Sequence, residues 1–427
     1  MGQKSVLFRC DGYREIGLGH VVRCLALADE LRLEHHIPCA FAMRHSPLAF
    51  DMVMQKGYSV LTPQAELNDD VCSLPCLAGE QSVDSIRAAT GGRPSIRWLE
   101  RAIRQVEAGA LILDVRSEPD DLPRQVVDAW RSQGVLIVTV DDPGERRLSA
   151  DMAFYPPVPQ VKRLDWSGFT GQLYVGWEWI VLRREFSHCP ADRRNAPHLP
   201  EGTAAENKSP RPQGRGETGN RFGKAPGGRV RGHVQPPERP VVLVTMGGSD
   251  PAGLTLKAVE ALDLMDEDFE SVLVLGPAFP HHEALKRLIA GARRSFTLRV
   301  CAADMPGLMT HDFGGAEHPP TLASLMAQAD LALVSFGVTA YELASLGVPA
   351  IYLCLTEDHA ESASMLVEAG LGKSLGVASR VSEKILAEAV RDSLARIVCG
   401  EQPAPERPID GRGAERIALI VAGRMRA

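Results

Sequence analysis

The sequence predicts an α/β protein made of two parallel-sheet halves, and three observations carry that expectation. Short runs of β-branched and apolar residues alternate with helix-length segments, the alternation occurs twice, and a stretch too rich in Pro, Gly and Arg to fill a core separates the two occurrences. Nearly continuous apolar strands between helices belong to parallel sheets covered on both faces. The 427 residues, 44% hydrophobic and 24% charged, suffice for two cores at roughly 100 to 200 residues per domain.

In the first half, 1–188, the strand-like runs are "VLFRC" (6–10), "CAFAM" (39–43), "ALILDV" (110–115) and "VLIVTV" (135–140). The second half, 240–427, repeats the device with "PVVLVTM" (240–246), "SVLVLG" (271–276), "DLALVS" (330–335) and "PAIYLCL" (349–355). Between them, 189–239 has the composition of a solvated, disordered linker or insertion. The segment 309–322 carries Gly-Gly and Pro-Pro turn signals and reads as a surface loop. Its His311, Asp312, Glu317 and His318 raise the alternative of a metal, but their spacing fits no regular helical or strand presentation. A helix with apolar positions at helical spacing closes the second half at 415–427.

Bulk properties narrow the function. A formal charge of −7 argues against nucleic-acid or membrane-surface binding through bulk positive charge. The nine cysteines are scattered, and "CSLPC" (72–76) has no second pair to complete a zinc site, so reduced core thiols are expected. Neither a signal-peptide pattern nor an apolar run of spanning length is present in the sequence, and the expectation is a cytoplasmic protein with no integral membrane segment. No metal and no cofactor is expected.

The first candidate site is "RCDGYREIGLGHVVRC" (9–24). A helix starting near "GLGH" would place Val21, Leu25, Ala28 and Leu31 on one face. Gly17 and Gly19 permit close ligand approach, and the free N–H groups of the helix start favour an anion such as phosphate. His20 in that first turn suits a general base. Arg9, Arg14 and Arg23 offer forked donors to phosphate oxygens, and Asp11 is placed to orient His20 or take a sugar hydroxyl. The alternative reading is a tight turn with a capping histidine and solvated arginines.

Two further strand–glycine–helix junctions lie in the second half. "VTMGGSDPAGLT" (244–255) brings Gly247, Gly248 and Ser249 to the carboxyl end of a strand, where open α/β sheets bind ligands; Ser249 and Asp250 alternatively cap the next helix. "LALVSFGVTAYELASLGVP" (331–349) puts Ser335 and Gly337 before a helix whose start, with the Thr339 hydroxyl, would hold a diphosphate. Glu342 shares a face with Thr339 and is alternatively a plain dipole partner. Asp114, Asp141 and Asp142 follow strands on the same side and are candidate sugar ligands, although strand-end turns also recruit aspartate.

"LFRCDGYREIGLGHVVRCLALA" resembles the N-terminal signature of the UDP-2,4-diacetamido-2,4,6-trideoxy-β-L-altropyranose hydrolases of pseudaminic acid synthesis, and is similar to the spore-coat polysaccharide biosynthesis group described as glycosyltransferases. The resemblance continues in "LILDV" (111–115), "VTVDD" (138–142), "GWEWIVLRREF" (176–186), "VTMGGSDPAGLT" and "ADLALVSFGVTAYELASLGVPAIYL" (329–353), and skips the insertion. It implies a glycosyltransferase-B architecture of two Rossmann-like domains, a nucleoside-diphosphate sugar between them, His20 as catalytic base and Glu342 on the ribose. At "TEDHAESA" (356–363) the chain departs from the hydrolases, which carry Asn-Gln where this sequence has Glu357-Asp358-His359. Asp358 and His359 are therefore candidate nucleotide contacts, with Glu357 and Asp358 alternatively the acidic residues of a helix start. The function implied is a UDP-sugar hydrolase acting at the anomeric carbon in surface-glycan or nonulosonic acid synthesis. The alternatives are a glycosyltransferase and a non-catalytic nucleotide-sugar-binding protein.

Overall fold

The computed structural model describes residues 3–13, 17–44, 46–63, 94–115, 122–187, 239–300, 321–400 and 409–426. Arg14, the cysteines at 72 and 76, residues 189–238 of the insertion and residues 309–320 lie outside them.

The first lobe is a parallel sheet of β1 (Ser5–Cys10), β2 (Cys39–Ala42), β3 (Ser59–Leu61), β4 (Ala108–Asp114), β5 (Leu136–Val140), β6 (Met152–Tyr155) and β7 (Gln172–Val175), in the order β3-β2-β1-β4-β5-β6-β7. Its helices are α1 (Gly19–His35), α2 (Pro47–Gln55), α3 (Pro94–Gln105), α4 (Arg124–Ser132) and α5 (Pro159–Arg163). Strand alternation sorts the core: Val6, Phe8 and Cys10 of β1 pack on the α1 and α2 side, whereas Leu7 joins Leu111 and Leu113 under α3 and α4. Both faces are apolar because both are covered, as the unbroken hydrophobic runs predict.

The second lobe repeats this with β8 (Val241–Thr245), β9 (Glu270–Leu275), β10 (Thr297–Val300), β11 (Leu331–Ser335), β12 (Ala350–Cys354) and β13 (Gly372–Val377), ordered β10-β9-β8-β11-β12-β13 and parallel throughout. Leu243, Ala332, Val334 and Tyr352 face α8 (Leu322–Gln328) and α9 (Val338–Ser345). Val242, Val244, Leu331 and Leu333 face α6 (Leu254–Asp263) and α11 (Glu383–Val398). Helices α7 (His282–Gly291) and α10 (Glu357–Glu368) complete the layers.

Among the described residues the chain crosses between the lobes twice. Ile180, Leu182 and Phe186 leave the first lobe and bury themselves in the core of the second. The last helix, α12 (Gly413–Arg426), which chain order places with the second half, returns and packs Ile417, Ala418 and Val421 into the α1 side of the first lobe. The crossings touch at glycine: a Cβ on Gly413 would lie 2.1 Å from the Ile180 carbonyl oxygen, so only hydrogen fits there.

In each sheet the chain leaves one central strand in one direction and the next in the other. This happens between β1 and β4, and again between β8 and β11. Open α/β sheets bind ligands outside the carboxyl ends of the strands at such switch points.

Candidate functional site

The two switch points face each other. Leu18, just before α1, packs against Gly248, where a Cβ would come within 3.1 Å of its Cδ1; a Cβ on Gly19 would lie 3.3 Å from Cγ2 of Val338, the first residue of α9. The starts of α1 and α9, one from each lobe, therefore meet. Neither has a side-chain cap and neither has an acidic residue in its first turn. The first N–H groups of a helix have no partner inside it and carry its positive dipole end. Two such ends converging make a place for an anion. Gly17 closes the preceding turn with its N–H on the Tyr13 carbonyl (2.8 Å) at φ +76°, a conformation that glycine adopts without steric cost.

His20 lies in the first turn of α1 with its side chain 11% exposed. Its Nδ1 is 2.6 Å from Asp114 Oδ1 at the end of β4. Arg23, one turn further along α1, donates from Nε to Asp114 Oδ2 (3.0 Å) and from Nη2 to Oδ1 (2.7 Å), and its Nη1 reaches Asp141 Oδ2 at 3.3 Å. Burial works to raise the Asp114 pKa, but Arg23 and His20 outweigh it and bring the carboxyl down to about 2. Ionised, Asp114 only accepts, so Nδ1 of His20 carries the hydrogen in that bond and Nε2 is left to take a proton. Burial opposes the charge of Arg23 in turn; Asp114 and Asp141 overcome it and raise its pKa.

Several site residues expected from the sequence take other places. Asp11 does not reach His20: it pairs with Arg9 Nη2 (2.6 Å) and accepts the Arg44 N–H (2.8 Å). Arg9, 1% exposed, donates to the carbonyls of Cys10 and Ala42 and so ties β1 to β2 rather than facing a ligand. Asp114, expected on the sugar, is 1% exposed with both oxygens occupied by His20 and Arg23. Arg23, expected on substrate, is committed to Asp114. Asp142 is fully buried, accepting from Arg146 Nε (2.6 Å) and the Gly144 N–H (2.8 Å). Burial pushes its carboxyl up to about 6 against the pull of Arg146. Asp141 is the member of that pair whose carboxylate reaches solvent.

The comparisons with known proteins follow this geometry. The chain matches no family model. It is 28% identical over 42% of its length to the spore coat polysaccharide biosynthesis protein SpsG of Bacillus subtilis, covering 49% of that protein. It is 22% identical over 81% of its length to the uncharacterized protein MJ1062 of Methanocaldococcus jannaschii, covering 55% of it. The chain thus spans about half the length of the curated relatives it matches. Among solved structures, MurG of Acinetobacter baumannii superposes with a TM-score of 0.55 at 15% identity over 99% of both chains. The S. aureus MnaA–UDP structure superposes with a TM-score of 0.55 at 12% identity over 99% of this chain and 97% of that one. The chain has the glycosyltransferase-B fold.

In this glycosyltransferase-B fold the second lobe brings Gly247, Gly248 and Ser249 to the end of β8, and Ser335, Gly337 and Thr339 to the end of β11. Gly247 sits at φ +77° with open space where a Cβ would be, so its conformation, not crowding, requires glycine. Asp250 caps α6 by accepting the N–H groups of Leu254 and Thr255, each at 2.8 Å. Glu342 is 2% exposed, and its Oε1 accepts from Nε and Nη2 of Arg183 at 3.2 and 3.0 Å. Thr356 caps α10 by accepting the His359 N–H. Asp358 meets the first lobe through its carbonyl, which accepts from Gln160 Nε2 at 2.8 Å, and the His359 ring lies 6.0 Å from that of Phe336.

Sequence reasoning missed the ion pairs between residues far apart along the chain. Arg183 stands 159 positions from Glu342, and Arg163 on α5 forms a two-pronged ion pair with Glu361 on α10, 198 positions away. No local pattern signals such pairs. Among the described residues there is no cluster of three His, Cys, Asp or Glu suited to a metal, and no helix is long and apolar enough to cross a membrane.

Proposed function

We propose that the chain is an enzyme that binds a nucleoside-diphosphate sugar between its lobes and displaces the diphosphate at the anomeric carbon, with His20 as general base. The observation that carries this reading is the meeting of two uncapped helix starts, Gly19 against Val338, beside the His20–Asp114 pair. The diphosphate would lie on those N–H groups, which stabilise the negative charge it gains as the glycosidic bond breaks. Asp114 holds the imidazole by Nδ1, so that Nε2 accepts the proton of the attacking hydroxyl; a general base so placed contributes on the order of 10²- to 10⁴-fold. The backbone of Gly247 and Gly248, the Thr339 hydroxyl and the Glu342 carboxylate are assigned to the nucleotide. Arg183 would then release one Glu342 oxygen to a ribose hydroxyl.

The similarity to a polysaccharide biosynthesis protein favours an acceptor hydroxyl over water as the nucleophile, and the UDP found with MnaA, a protein of the same fold, favours UDP as the nucleotide of the donor. Hydrolysis, as in the pseudaminic acid pathway, uses the same site with water as the nucleophile. The deciding experiment incubates the purified chain with a panel of UDP- and CMP-sugars and follows released nucleotide with and without candidate acceptors. Release that requires acceptor supports transfer, release without acceptor supports hydrolysis, and binding without turnover removes the enzymatic reading. His20→Ala is expected to lower turnover at least about 100-fold while leaving UDP affinity nearly unchanged; near-normal rates would end the mechanism.

A further inference from the structure

The two helix starts that meet between the lobes each carry a long side chain one turn further in, Arg23 on α1 and Tyr341 on α9. Side chains of a helix lean back toward its N-terminus, so both are directed toward the junction of Gly19 with Val338. Arg23 shows the lean directly: its guanidinium reaches back to Asp114 and to within 3.2 Å of His20 Nδ1. The Tyr341 ring shows it too, packing edge-on against Phe336, two residues before α9 begins, with the centroids 5.7 Å apart. Phe336 is itself held by the rings of Tyr352 and His359, so the phenol stands on a fixed support at the α9 start.

The hydroxyl on that ring has no task inside the protein. It makes no hydrogen bond to any described residue, and its oxygen is open to solvent. Burial of the ring, and then the negative charge of Asp141 in the opposite lobe, raise its pKa, so the group stays a neutral phenol and a donor at working pH. Arg23 is committed to Asp114, so charge collecting on a leaving group at the α9 start calls for a donor of another kind. We infer that Tyr341 is a further catalytic residue, whose hydroxyl donates a hydrogen bond to an oxygen of the departing diphosphate beside the backbone N–H groups of α9. The phenol keeps its proton, and the bond strengthens as the oxygen gains charge, which favours the transition state over the bound substrate. This deepens the proposed function and rests on it.

The test uses Tyr341→Phe, which keeps the ring against Phe336 and removes only the hydroxyl. For the sugar nucleotide that the wild type turns over, kcat/KM is expected to fall roughly 10- to 100-fold, the loss of a hydrogen bond to a charged group. Affinity for UDP alone, read by calorimetry, should fall as well. Because the hydroxyl supports no other group, the Tm should stay within about 2 °C, and the pH at which protonation of His20 cuts kcat should not move. Unchanged kcat/KM or unchanged UDP affinity overturns this assignment while the proposed function stands; so does a moved pH limb, the sign of a ring that acts through Arg23 and Asp114. A wild-type chain that binds UDP but turns over no sugar nucleotide ends the proposed reaction, and the UDP affinity of Tyr341→Phe then decides whether the hydroxyl touches the diphosphate. A wild-type chain that binds neither UDP nor any sugar nucleotide of the panel overturns both.

Discussion

Asp114 Oδ1 lies 2.6 Å from His20 Nδ1, although 94 positions separate the two residues. The strand order β1-β4 at the first switch point brings them together, and Arg23 holds the carboxylate from its other side. Asp114→Asn keeps the shape but presents an amide that donates as well as accepts, so the imidazole loses its fixed tautomer. Turnover is expected to fall by about 10²- to 10⁴-fold, with KM little changed. The same substitution leaves Arg23 short of its main counter-charge, and a loss on the order of 3 kcal/mol in stability follows for a broken buried pair. Steady-state kinetics and urea unfolding measured on one preparation check both outcomes.

Two buried carboxylates give opposite pH slopes. Asp114 has its pKa lowered from 3.8 to about 2, so its stabilisation is present above pH 4 and is lost as pH falls toward 2. Asp142 has its pKa raised from 3.8 to about 6, so its contribution is present below pH 4 and is lost as pH rises through 6. The second effect amounts to roughly 3 kcal/mol. Urea unfolding of wild type and Asp142→Asn at pH 4 and pH 7 should show the wild type gaining stability relative to the variant at the lower pH. Curves that keep the same separation at both values contradict the assignment.

Arg163 and Glu361 pair across the lobes through two hydrogen bonds. Because both are on the surface, salt screens the attraction, and the pair links α5 of the first lobe to α10 of the second without supporting either core. Arg163→Glu should raise KM for the sugar nucleotide with little change in Tm, and Arg163→Glu combined with Glu361→Arg should restore it. A double variant as impaired as the single one would show that the pair does not serve closure.

The sequence by itself determined the local devices. The apolar runs "VLFRC" and "VVLVT" point to strands buried on both faces because they are short, rich in β-branched residues and followed by glycine turns, and the glycines after β1, β8 and β11 mark where backbone must turn sharply into a helix. The place of His20 in the first helical turn, after Gly17 and Gly19, was legible on those grounds. What surrounds His20 was not. From spacing alone Asp11, nine residues away, was placed to orient His20, and only the tertiary structure turned Asp11 onto Arg9 and brought Asp114, expected on the sugar, to the imidazole. Adjacent aspartates such as Asp141 and Asp142 are equivalent in sequence, yet a left-handed φ sends one toward the cleft and burial commits the other to Arg146. The return of α12 to the first lobe and the Arg183–Glu342 contact were likewise fixed by packing. Periodicity reports which face of a segment is buried, whereas partners far apart along the chain are chosen by strand order and by where the chain crosses between the two sheets.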